Sequence, residues 1–160
     1  MGKLFWYESK SFSKGYNAGM LVHDPAFILF TGIWFALLGA CVGSFLNVLI
    51  YRLPRKESLV HPPSHCPRCG CMIRWYDNVP VAGWLNLRGQ CRECRQAISV
   101  RYPCVEGVCA ILFGIIFVLL GQLDGLAFGY RVCLTLLCSF LVCGIFAVGL
   151  MRYDKKKGAP

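Results

Sequence analysis

Four cysteines carry the clearest chemistry in this chain. Cys66 and Cys69 form one C-x-x-C pair and Cys91 and Cys94 a second, with 21 residues between the pairs. Two such pairs at this separation have the spacing of a tetrahedral four-thiolate zinc site, in which each pair turns into a tight knuckle. A redox dithiol needs only one pair. Because all four coordination positions would be filled by sulfur, the expected zinc is structural and leaves no position for water or substrate. Gly70 follows the first knuckle, where the backbone commonly needs a positive φ. Cys71 is either a spare thiolate or a thiol packed beside the knuckle. Cys41, Cys104, Cys109, Cys133, Cys138 and Cys143 lie in or beside apolar segments and read as small hydrophobes.

Two polar residues stand out against apolar surroundings. Glu106 sits near the start of an otherwise uncharged run, where an unpaired charge is costly. It could orient or deprotonate an amine, or it could pair with Arg101 or Arg52 and pin the neighbouring loop. Asn47 lies near the end of another apolar run, where an amide must find a partner. Trp75, Tyr76 and Trp84 could stack on a planar ligand or form the small core of a zinc-bound loop.

The elements that position these residues follow from composition. With 56% hydrophobic and only 16% charged residues in 160, the chain is expected to be a membrane protein, mainly α, and not a soluble domain. Residues 1–24 resemble neither a cleavable signal nor a compact domain. Residues 25–50 hold no Asp, Glu, Lys or Arg, and at 1.5 Å per residue they can cross a hydrocarbon core of about 30 Å. Further transmembrane helices are expected over 104–123 and 127–151, with a basic tail at 152–160. In the first, Gly32, Ala36, Ala40 and Ser44 recur every four residues beside a second stripe of Gly39, Gly43 and Asn47. Small residues at this interval let another helix approach closely.

Residues 51–103 form a different kind of sequence, rich in Pro, Gly and charge, and are expected to fold as a β-rich zinc-binding loop outside the bilayer. With the loop and tail in the cytoplasm, 13 of the 17 basic residues lie on that side. The positive-inside rule favours that orientation, and reduced thiols suit it. No internal repeat or low-complexity tract is expected.

Three ordered stretches then carry a resemblance. They are Gly43-Ser-Phe-Leu-Asn47-Val-Leu-Ile-Tyr51-Arg52-Leu-Pro54, the segment from Cys66 to Cys94 with Trp75-Tyr-Asp77-Asn78-Val-Pro80 and Leu87-Arg88-Gly89-Gln inside it, and Ile98-Ser-Val-Arg101-Tyr102-Pro103-Cys-Val-Glu106. Together they resemble the N-terminal module of the type IV prepilin leader peptidase family, without its C-terminal aspartyl peptidase half. The family implies a multi-pass protein of the bacterial inner (plasma) membrane in type IV pilus biogenesis and type II secretion. It also implies S-adenosylmethionine as co-substrate for N-methylating the processed pilin, with prepilin or pseudopilin as partner.

The resemblance links Gly89 to methylation, although Gly89 is equally a hairpin or close-approach glycine. Glu106 joins it as the candidate catalytic pair, with Asn47, Asp77 and Asn78 as candidate substrate- or cofactor-binding residues. Leader cleavage needs two carboxylates sharing one site. The four aspartates, Asp24, Asp77, Asp124 and Asp154, all lie outside the apolar helices, so this chain alone is not expected to cleave, with Asp154 at most a displaced relic. Two alternatives stand beside methylation. One is a catalytically silent accessory module, or half of a split enzyme with a separate aspartyl peptidase subunit. The other is a membrane-tethered zinc ribbon on nucleic acid, for which topology and anionic lipid already explain the charge.

Overall fold

The structure is a computed structural model that describes residues 24–121 and 127–157. Apart from Asp24, the expected N-terminal segment lies outside the described residues. Helix α1, Pro25–Arg52, starts where the Asp24 carboxylate accepts the Ala26 N–H at 2.8 Å, with Pro25 at the helix start. Pro54 has no N–H to continue the ladder, so the chain tightens into a 3₁₀ turn, Leu53–Arg55, and leaves through Lys56 at φ +58°. Helix α3, Arg101–Gly121, and helix α4, Phe128–Lys157, follow the loop. The helix α4 carries on through Lys155, Lys156 and Lys157, so much of the basic tail is helical, with its cations at the favourable C-terminal end. All three long helices are long and apolar enough to cross a membrane.

Their register is antiparallel and set by small residues. A Cβ placed on Gly39 would lie 2.5 Å from the Cys109 carbonyl oxygen, and one on Gly43 would lie 2.7 Å from the Glu106 Cα. One turn further, the Asn47 side chain donates to the Tyr102 carbonyl at 3.1 Å. As α1 advances by four residues at each step, its partner on α3 moves back by about one turn. Of the two expected stripes, Gly39, Gly43 and Asn47 face α3; Gly32 has nothing closer than a Phe117 ring carbon at 3.9 Å. Phe113, fully buried, meets Phe140 of α4 edge-on at 5.7 Å, and Phe35 stacks on Phe117 at 4.7 Å.

Helix α4 presents Arg131, Thr135, Ser139, Cys143 and Ala147 inward, one every four residues. Arg131 reaches back to the Gly121 carbonyl at 3.0 Å, closing one end of the α3–α4 pair. At the other end Arg101 clamps Asp154 with two bonds of 2.9 and 2.6 Å. The outward faces remain apolar, with Ile33 and Leu37 on α1, Ile111 on α3 and Ile145 on α4 all exposed. Such surface is unsuited to water and expected in hydrocarbon.

The loop between α1 and α3 is not β-rich. Among the described residues no strand forms, and only two single bridges occur, His65 with Met72 and Gln90 with Ala97. A 3₁₀ turn, Trp75–Asp77, and the five-residue helix α2, Ala82–Asn86, fill the span between them. The reason lies in the pattern: Pro62, Pro63 and Pro80 remove ladder donors, and the apolar residues Val81, Trp84, Leu85 and Leu87 fall at helical and not alternating intervals.

Replacing Gly43 by Ala should destabilise the bundle by about 1–3 kcal/mol, because the added methyl meets backbone that cannot step aside. Gly32→Ala should leave it unchanged within about 0.5 kcal/mol. Thermal unfolding of both variants in detergent checks the contrast.

Candidate functional site

The zinc-ligand candidates are built on two copies of one turn. In the first, the Cys66 N–H donates to the Cys71 carbonyl at 2.9 Å and the Gly70 N–H to the Cys66 carbonyl at 2.9 Å. In the second, the Cys91 N–H donates to Gln96 at 2.8 Å and the Arg95 N–H to Cys91 at 3.1 Å. The residue after each second cysteine is left-handed, Gly70 at φ +72° and Arg95 at φ +57°. The two knuckles expected from the C-x-x-C pairs thus share one backbone geometry. An eight-residue unit, 65–72, recurs as 90–97, although only its cysteines are alike.

The four sulfurs of Cys66, Cys69, Cys91 and Cys94 lie within 4.8 Å of one another, a set that could hold a metal ion. A tetrahedron of sulfurs about 2.3 Å from zinc has edges of about 3.8 Å. The Cys66 and Cys94 sulfurs are 3.7 Å apart, so the donor set fits. Backbone N–H groups of Cys69 and Arg68 aimed at the Cys66 sulfur pull its thiol down to about 6 against the pull of burial, whereas at Cys94 the Gln96 N–H is outweighed by burial and the neighbouring sulfurs, which push that thiol up to about 11, so without a cation the crowded sulfurs favour a single thiolate. Arg68 donates to the Gln96 side chain at 2.7 Å, tying knuckle to knuckle. Cys71 is exposed and its sulfur is not one of the four.

Gly89 leads into the second knuckle at φ +69°, and its carbonyl accepts the Ile98 N–H at 2.7 Å. A Cβ there would lie 2.7 Å from the Trp84 ring. Trp84 in turn donates its indole N–H to the Ile98 carbonyl at 3.1 Å, so this tryptophan is loop core. Trp75, by contrast, is 82% exposed.

Asp77 is held by both ends of the Arg92 guanidinium, at 2.8 and 2.5 Å. Those bonds keep its carboxyl below the usual carboxylate range although burial opposes them. The Asp77 carbonyl also presses on α2, since a Cβ on Gly83 would lie 2.1 Å from it. Asn78 is exposed, and its side-chain amide has no hydrogen-bond partner among the described residues.

Glu106 is buried at the start of α3 and pairs with neither Arg101 nor Arg52. Arg101 holds Asp154 instead, and Arg52 donates to the Ser58 and Pro62 carbonyls at 2.8 and 2.7 Å. One Glu106 oxygen accepts the Val81 N–H at 2.7 Å, and the other has no partner among the described residues. Val81 sits at φ +60°, ψ −52°, a γ-turn closed by Ala82 N–H to Pro80 carbonyl at 2.6 Å. A β-branched residue there is strained, and strain of this kind collects at functional sites. Nothing in the sequence announces Val81, because only the fold brings Glu106 to it.

The family comparison decides the kinship. Residues 37–120, just over half the chain, match the bacterial peptidase A24 N-terminal domain. The chain belongs to that family.

The A24 N-terminal domain here is 53% identical over 81 residues to the prepilin leader peptidase/N-methyltransferase of Myxococcus xanthus, covering 51% of this chain and 24% of that protein. It is 40% identical over 114 residues to the Pseudomonas putida protein of that name, covering 58% and 38%. It is 38% identical over 143 residues to the Dickeya chrysanthemi protein, covering 75% and 47%. The chain thus spans between a quarter and about half the length of these curated relatives. No solved structure matches it. Within this A24 N-terminal domain the matched stretch takes in α1 from its middle, both knuckles and nearly all of α3. The loop between the knuckles therefore lies wholly inside the shared region.

Two outcomes follow from the site. Protein purified under reducing conditions should carry one zinc per chain, and Cys69→Ser should lose it, as read by elemental analysis. Arg95→Gly should stabilise the loop by about 1 kcal/mol by relieving a left-handed side-chain residue, while Gly70→Ala should weaken it by a similar amount. The zinc-chelation midpoint of each variant measures this.

Proposed function

We propose that this chain works in type IV pilin maturation at the bacterial inner membrane, as the part that N-methylates a processed pilin with S-adenosylmethionine. The observation that carries the reading is Glu106. A buried carboxyl with one oxygen bonded to a backbone N–H and the other unpartnered, at the end of a membrane helix, is placed to receive an ammonium group. Methylation asks little else of a protein: the amine, with pKa about 7.7 to 8.0, must lose a proton, lie in line with the activated methyl and be shielded from water. Glu106 orients the amine and receives its proton. Prepilin or pseudopilin is the proposed protein substrate, as the names of the relatives suggest.

Zinc on Cys66, Cys69, Cys91 and Cys94 serves this chemistry only by holding the loop that carries Val81 against Glu106. Gly89 then acts through Trp84 and the second knuckle. Asn47 acts through Tyr102 and the register of α3, and Asp77 through Arg92. The zinc loop faces the cytoplasm on the charge distribution, where the methyl donor is found.

Leader cleavage is not proposed for this chain. Of its aspartates, Asp24 caps α1, Asp77 is tied to Arg92 and Asp154 to Arg101, and Asp124 lies outside the described residues. No two of the described aspartates share a site, so cleavage would fall to a separate aspartyl peptidase subunit or segment.

The test is transfer of labelled methyl from S-adenosylmethionine to a peptide bearing a mature pilin N-terminus. Purified protein should transfer, and Glu106→Gln should lower kcat by about 10²–10⁴ while retaining zinc and the fold. Absence of transfer by folded, zinc-loaded protein would favour the silent accessory module instead. For orientation, a cysteine replacing Gly125 in a background that keeps only the four zinc-ligand cysteines should react with an impermeant maleimide in intact cells. One replacing Lys155 should not.

A further inference from the structure

A cleft of about 330 Å³ opens between the end of α1 and the zinc loop, at the lower end of the ~300–1,000 Å³ typical of small-molecule sites. Its walls include Val48, Val60 and Trp75, with Arg52, Ser64 and Asn78 as the polar groups. Arg52 is the anomaly. It is only 9% exposed, yet no carboxylate lies within ion-pair distance among the described residues, and its two hydrogen bonds, to the Ser58 and Pro62 carbonyls, use two of five donors. A buried cation without a counter-ion is costly, so the cleft is short of one negative charge. The Ser64 hydroxyl and Asn78 amide have no side-chain hydrogen bonds among the described residues, and Trp75 offers an open aromatic face.

We propose that this cleft holds the methyl donor, S-adenosylmethionine, with its carboxylate on Arg52, its cationic sulfonium and adenine against Trp75, and Asn78 and Ser64 hydrogen-bonding its polar edges. The assignment rests on the methylation reading and adds a location to it. An aromatic face suits a sulfonium, and a guanidinium suits a carboxylate. The cleft lies near the proposed base: Asn78 lines it, and Val81, three residues on through a turned segment that can span at most about 10 Å, bonds Glu106. In the transfer, the amine nitrogen bonds to the methyl carbon and the sulfur–methyl bond breaks with its electron pair left on sulfur. A neutral thioether results, and the proton shed by the nitrogen passes to Glu106.

Calorimetric titration of the full chain with S-adenosylmethionine and with the demethylated thioether tests this, alongside zinc content and thermal midpoint. Arg52→Gln and Val60→Trp should each weaken binding about tenfold or more. Asn78→Ala, which touches no structural bond, should weaken it less. If Arg52→Gln does not fold, Val60→Trp and Asn78→Ala decide. Wild-type protein that binds and methylates, with folded cleft variants unchanged in affinity, would overturn the location and leave methylation standing. Wild-type protein that does not bind would remove both. Repeating the work in nanodiscs with and without phosphatidylglycerol covers the remaining source of negative charge. Loss of anionic lipid from Arg52→Gln with unaltered donor affinity would make Arg52 a lipid site and sink the proposal.

Discussion

At Gly39 and Gly43 the backbones of α1 and α3 approach so closely that one methyl would overlap a carbonyl oxygen or an α-carbon. Close approach of this kind is how helices associate where surrounding lipid removes any hydrophobic gain. Everything above it depends on the register it sets. Asn47 meets the Tyr102 carbonyl one turn higher, Glu106 arrives at the foot of the loop, and Arg52 emerges under Ser58 and Pro62. A slip of one residue would turn Glu106 about 100° away from Val81, because each helical residue turns by that angle. The site is thus a product of membrane packing before it is a product of the loop.

The loop itself has almost no apolar core of its own. Its buried groups are few: Cys66, Gly83, Gly89 and the half-buried Trp84. Four sulfurs, two left-handed turns, the Arg92–Asp77 pair and the indole bond to Ile98 take the place of a core. A metal suits that situation, since a segment of about 50 residues with so few buried groups is marginal on hydrophobicity alone. It also explains the absence of strands. The knuckles complete their own hydrogen bonds internally and leave single bridges at their mouths.

Much of this was legible in the residues. Cysteine spacing announced the four-sulfur cluster, three long apolar runs announced the helices, and a lone glutamate in one of them announced an oddity. The rest failed for identifiable reasons. Basic side chains beside Glu106 invited an ion pair, but Arg101 and Arg52 are drawn to Asp154 and to loop carbonyls by contacts 53 and up to ten residues away in sequence. The left-handed residue of the second knuckle had no sequence signal, because Arg95 does not advertise a positive φ as Gly70 does. The strained Val81 has no local signature at all. It is tolerated because the surrounding loop and a carboxyl 25 residues away hold it.

That tolerance has a thermodynamic side. Val81 and Glu106 form one contact shared by two bodies, the loop and the bundle, so a ligand that draws Glu106 aside must also release the turn. Anything that stiffens residues 78–81 from the loop side alters the cost of that release. By linkage the effect is reciprocal: two ligands engaging opposite flanks of this segment must change each other's affinity by the same factor. A short turn with one unfavourable φ thereby couples whatever binds on its two sides.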